Sequence, residues 1–225
     1  MADNRETKRE RREVAKQRRM EELRRRQRKE RMRKFWYAGI SVLVIGGIVA
    51  AVVLSKANAG KQEKDLNKLA AAAGCSPLQN PGDEGNTHVA APNTVNYRTN
   101  PPTSGNHYAS TSRTGVLPNP LPANLKDENL VHNMEHGHII LWYKPDLDTQ
   151  ILDRLKTFVN DNVTRRVLVV RAEMPYQLAF TAWGHLLGCE TPNSQVLAVA
   201  AKFADNYQGK GPEGTGDAPG TPIGS

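Results

Sequence analysis

Three of the six histidines in this chain fall within seven residues, His132 to His138, inside the run VHNMEHGHII (Val131–Ile140). Imidazoles titrate near neutral pH and bind divalent metals, so this cluster, with Met134 and Glu135 inside it, points to a metal or proton site. Two backbone geometries share out the donors differently. On a helix, His132, Glu135 and His136 read H-x-x-E-H, the inverted zinc-peptidase spacing. The histidines then share a face at i,i+4 and the glutamate stands as general base. Glu173 or Glu190 would be the third ligand, and Gly137 would close the helix. On an extended segment, His132, Met134, His136 and His138 alternate onto one side. Imidazoles with a thioether suit copper better than zinc.

The β-prone residues Ile139, Ile140, Trp142 and Tyr143 that follow favour the extended or turn-like geometry, and with it copper. His107 ends the turn Pro101–His107 (PPTSGNH) and is the expected fourth contributor. The expected metal ligands are therefore His107, His132, Met134, Glu135, His136 and His138. The competing account is structural: hydrogen-bonded core histidines, with Met134 as packing. A pH-responsive cluster is a third. His88 and His185 stand alone and read as surface or structural residues. No nucleophile elbow, Ser-His-Asp order, Cys-His pair or CxxC appears, so an enzyme is the less favoured class.

The elements that carry this cluster follow from charge and hydropathy. Residues 1–34 hold 16 basic and 7 acidic side chains (+9), and the remaining 191 hold 15 and 16 (−1). The basic pI therefore reports a tail, which excludes nucleic-acid binding by the body of the protein and suits anionic lipid headgroups. Residues 35–55 carry no charge, and as a helix they extend ~31 Å, enough to cross a bilayer core. Phe35, Trp36 and Tyr37 lie at one end like an interfacial belt. Arg and Lys crowd the preceding flank, so the positive-inside rule places the arm in the cytoplasm and the rest outside the plasma membrane. A cleaved signal peptide ending at Ala57-Asn58-Ala59 is disfavoured by the long charged leader. Gly47, Ala51 and Ser55, spaced by four, offer a close-packing face to a membrane partner.

Cys75 and Cys189, the only cysteines, both fall on the outer side, where a pair of this kind forms a disulfide more often than two free thiols. Residues 56–74 read as a linker with a short helix, 75–207 as the extracytoplasmic domain, and 208–225 as a disordered Gly/Pro-rich tail. Within the domain, 76–122 is loop-rich. Strand patterns follow at 138–143, 167–171 and 177–182, with amphipathic helices at 148–162, where Asp148 is the candidate N-cap, and 194–207. The expected fold is α+β: a β-α-β-β-α core with helices on one face of a small sheet, behind one transmembrane helix.

Tyr97, PPTSGNH (Pro101–His107), VHNMEHG (Val131–Gly137), WYKP (Trp142–Pro145) and TAWG (Thr181–Gly184) resemble the domain of unknown function 3105 family over about residues 62–210. The resemblance implies a membrane-anchored protein of actinobacterial type and no particular reaction. His107, His132, Glu135 and His136 fall in the family-like motifs, whereas Met134 and His138 fall where variation is expected. The leading expectation is an accessory protein with a transition-metal site, copper ahead of zinc, that helps or joins a membrane respiratory complex such as an oxidase. The alternatives are a metal-free docking subunit and a zinc hydrolase using H-x-x-E-H.

Overall fold

The computed structural model describes residues 3–214 and forms two compact units, Met1–Ala59 and Gly60–Ser225. Helix α1, Asp3–Ala72, supplies the described part of the first unit and continues into the second. It is the one helix among the described residues long and apolar enough to cross a membrane. Phe35, Trp36, Tyr37 and the large aliphatic side chains from Ile40 to Leu54 are exposed. The two serine hydroxyls of residues 35–55 are satisfied locally, Ser41 donating to the Tyr37 carbonyl at 2.9 Å and Ser55 to the Val52 carbonyl at 2.9 Å. A hydrocarbon environment requires such internal pairing. The expected linker at 56–74 is not a break, because the helix runs through it to Ala72.

In the second unit a five-stranded sheet has the order β3-β5-β4-β6-β7. Its strands are β3 (Gly115–Val116), β4 (Ile139–Tyr143), β5 (Arg166–Val170), β6 (Leu178–Ala182) and β7 (His185–Cys189). The β3–β5 and β4–β5 pairs are parallel, and β4–β6 and β6–β7 are antiparallel. A parallel neighbour needs a crossover; helix α3 (Thr149–Asn160) provides it between β4 and β5. The predicted cap holds, since the Asp148 carboxylate accepts from the amides of Gln150 and Ile151 at 2.9 and 3.0 Å.

Strand β4, IILWY, is buried along its whole length and divides its side chains between two cores. Ile139, Leu141 and Tyr143 join α3, α4 (Val196–Tyr207), the end of α1 through Leu66 and Ala70, and Ala73 just beyond it. Ile140 and Trp142 join Leu130, Val131 and Met134 on the opposite face. Trp142 satisfies its indole N–H on Thr181 Oγ1 at 2.7 Å. The α+β class stands with one amendment: helices cover both faces, because the second face is closed by a helix the sequence pattern did not single out. That helix is α2, Asp127–Glu135. The expected disulfide is present, Cys75–Cys189, tying the chain after α1 to the end of β7.

Candidate metal centre

Helix α2 overturns the preferred extended geometry of the histidine run. Its first turn carries Asp127 and Glu128, which suit the positive end of the helix, and Asn129 Oδ1 accepts from the Lys126 amide at 3.0 Å. Its end is a Schellman turn. The Gly137 amide donates to Met134 O at 2.9 Å and the His138 amide to Asn133 O at 3.0 Å. Gly137 takes φ 77°, as this turn requires. Nearly every face of α2 is buried. The loop before it satisfies the polar ones, with Asn129 donating to Ser110 O at 2.8 Å and Asn133 to Ser112 O at 3.1 Å.

Helical spacing puts His132, Glu135 and His136 on one face. Met134 turns the other way, fully buried in the core with Leu130 and Trp142. His138 lies past the helix, its Nδ1–H donating to Asn133 O at 2.7 Å. Neither joins the cluster, so the ligand set expected from alternation loses both. Glu173 and Glu190 are exposed and also stand outside it. His185 is structural as expected, 2.6 Å from Asn80 Oδ1 and stacked at 4.1 Å on Tyr207.

Two short strands bring in the remaining donors. β1 (His88–Val89) and β2 (His107–Tyr108) pair in parallel, with His88 opposite His107. The pairing is fastened by the His107 amide on Thr87 O at 3.2 Å and the Thr87 amide on Asn106 Oδ1 at 3.1 Å. His88, read from sequence as isolated, therefore belongs to the site. The rings of His88, His107 and His132 stand 4.9 to 5.0 Å apart, and His132 is 4.9 Å from His136. One donor atom from each of His88, His107, His132 and Glu135 lies within 4.8 Å of the others.

Hydrogen bonding fixes what these atoms offer. His107 Nδ1 is 2.8 Å from the Gly105 carbonyl, which only accepts, so Nδ1 carries a proton. In the neutral ring Nε2 is then bare, and it faces Glu135 Oε2 at 2.9 Å. Two lone pairs at that distance repel unless a cation stands between them, either a proton or a metal. Glu135 Oε2 is also 4.0 Å from His88 Nε2. His132 Nε2 meets His136 Nε2 at 3.0 Å, and the buried Nδ1 of His136 has no hydrogen-bond partner among the described residues. Burial, helped by His107, His136 and His88, lowers the His132 pKa to about 4, so this ring is a neutral donor at physiological pH.

Residues 208–214, expected within a disordered tail, return to this site; 215–225 lie outside the described residues. The Gly209 amide donates to Gly137 O at 2.7 Å and the Glu213 amide to Glu135 O at 3.2 Å. Glu213 Oε2 then stands 3.4 Å from His136 Nε2.

Protonation of these buried rings should be visible in stability. Burial sets His132 and His185 at about 4, against 6.5 for an ordinary histidine. Between those values the unfolded chain binds more protons than the folded one, so stability falls as pH falls through this window. Thermal melts of the metal-free protein should be flat above pH 7 and drop steadily from 6.5 to 4. A midpoint that holds or rises over that range would contradict the assignment.

No curated protein and no solved structure matches this chain. A model of one family, described as Protein of unknown function (DUF3105), matches residues 88–219, more than half of the chain. The matched stretch includes all of the donors above, from His88 to Glu213, and the chain belongs to this family.

Proposed function

We propose that this is a membrane-tethered, metal-binding accessory protein whose domain holds a divalent transition metal between His88, His107, His132 and Glu135. The observation that carries the reading is the bare Nε2 of His107 aimed at the Glu135 carboxylate at 2.9 Å, with two further imidazoles converging on the same point. Three imidazoles and a carboxylate match the donor chemistry of zinc. A thioether ligand would suit copper, but Met134 lies in the core, so the donor set favours zinc. Four protein donors close a tetrahedron, as in sites that hold a metal rather than open one to substrate. His107, His132 and Glu135 are almost fully buried, and the half-exposed His88 is the side through which metal would enter.

The continuous helix through Glu135 supports a second reading, a hydrolase built on H-x-x-E-H. It requires the Glu135 carboxylate to face a water, whereas that carboxylate points at His107. Placement of the domain outside the plasma membrane is supported by the basic flank before the span and by the disulfide. The Gly47, Ala51 and Ser55 face supports docking on an integral membrane complex, for which a respiratory oxidase is the favoured setting.

Metal analysis of the full-length protein in detergent tests the core of this proposal. Purified protein should retain zinc, lose it to a chelator, and rebind it at submicromolar concentration. His107→Ala should lose that binding, and zinc at 100 times its Kd should stabilise the wild type by about 2.7 kcal/mol. A metal-free preparation that binds neither zinc nor copper at micromolar concentration would remove the reading. Preferential retention of copper in competition would restore the copper assignment.

A further inference from the structure

Glu135 belongs to two groups of donors. Besides the set with His88, His107 and His132, it forms a second with His136 and Glu213, again with donor atoms all within 4.8 Å. The two groups touch a second time where His132 Nε2 meets His136 Nε2 at 3.0 Å. A carboxylate has two oxygens, and one shared between adjacent donor sets is the usual bridge of paired metals about 3.5–4 Å apart.

The placement of Glu213 is built rather than incidental. Its side chain is half exposed, and a free carboxylate there would turn to water, yet it faces a His136 ring that is 3 % exposed. The strap that carries it is held at both ends, by Gly209 on the Gly137 carbonyl and by the Glu213 amide on the Glu135 carbonyl. Between them Gly211 passes so close that an added Cβ would collide with the Glu135 carbonyl oxygen. The strap thus spans the end of α2 and delivers a carboxylate to His136, which caps that helix and lies outside the first group.

Resting on the metal reading above, we propose that the centre is dinuclear, with Glu135 as the bridge and His136 and Glu213 holding a second divalent ion. The second site has three protein donors and a half-exposed carboxylate, so it is open and exchangeable where the first is closed. Glu213 is the ligand that sets its occupancy.

Zinc stoichiometry of the full-length protein in detergent, stripped by chelator and re-equilibrated, tests this. Wild type should bind two ions per chain, and Glu213→Gln one. Gly211→Ala, which displaces the strap without touching a donor, should also bind one. With cobalt in place of zinc, the wild type should show a magnetically coupled pair and Glu213→Gln an uncoupled ion. A wild type that binds one ion, lost in His107→Ala, overturns the dinuclear centre and leaves the first site standing. Two ions that survive Glu213→Gln also overturn it. No ion at all overturns both proposals.

Discussion

Glu135→Gln should abolish zinc binding and at the same time leave the metal-free protein as stable as wild type, or more stable. The two halves have different causes. Replacing a residue that only orients a ligand lowers metal affinity by 10–100-fold in characterised sites, so loss of a ligating charge should exceed about 100-fold. In the metal-free protein the same change removes a conflict. His107 Nε2 faces Glu135 Oε2 at 2.9 Å with its own proton committed to Gly105 on the far side of the ring. A glutamine can turn its amide toward Nε2 and donate, which converts opposed lone pairs into a hydrogen bond of about 0.5–1.5 kcal/mol. The opposite result identifies the other possible cation. If a proton bridges the pair, His107 is an imidazolium buried against a carboxylate, and removing one partner of a buried ion pair costs about 3–5 kcal/mol. Thermal melts of wild type and Glu135→Gln, each with and without zinc, separate the cases. A large drop for the metal-free variant, with no zinc effect on wild type, would show a proton-bridged pair and no metal site.

What the sequence disclosed and what it hid follow from the range of the interactions involved. Strands β4 to β6 and helices α3 and α4 announce themselves through local periodicity and the Asp148 cap. Strand β7 gives no separate signal, because a two-residue turn, Trp183-Gly184, joins it to β6 and HLLGC carries no alternation. Helix α2 fails as a pattern for a different reason: with eight of its nine residues buried, no polar face remains to mark a period. Its helical geometry was available as H-x-x-E-H, and Gly137 was legible as its terminator. The β-prone residues just beyond the turn outweighed both, although the turn separates them from the helix. That error carried Met134 and His138 into the ligand set, since period two and period 3.6 agree on His132 and His136 but not on their neighbours. His88 and Glu213 had no local signal at all. The first is recruited by a parallel pairing with His107 across the PPTSGNH loop. The second arrives on a strap whose Gly/Pro composition reads as disorder until Gly209 and Gly211 are seen lying against α2.

Removing the disulfide, as Cys75→Ser with Cys189→Ser, should cost about 4–5 kcal/mol, the chain-entropy value for the 114-residue separation it spans. Single domains are stable by only about 5–15 kcal/mol, so the doubly substituted protein should sit near the limit of folding. In a domain of this size the melting midpoint should fall by roughly 10–15 °C. The physical reason lies in where the bridge acts. The end of α1 reaches the core through Leu66 and Ala70, and after Cys75 the chain enters a long loop-rich stretch. The Cys75–Cys189 link fixes the start of that stretch to β7, the last strand of the sheet, whose outer edge also pairs with Ser76 and Gln79. Zinc binding should survive wherever the variant remains folded, because no donor sits on α1 or β7. The comparison also bears on location, since a bridge that contributes this much would be lost in a reducing cytosol and persists outside it. Labelling of free thiols on intact cells, before and after reduction, reads this directly. An unchanged melting midpoint in the double variant would show that the core holds the edge strand unaided, and would remove the disulfide as an argument for an oxidising compartment.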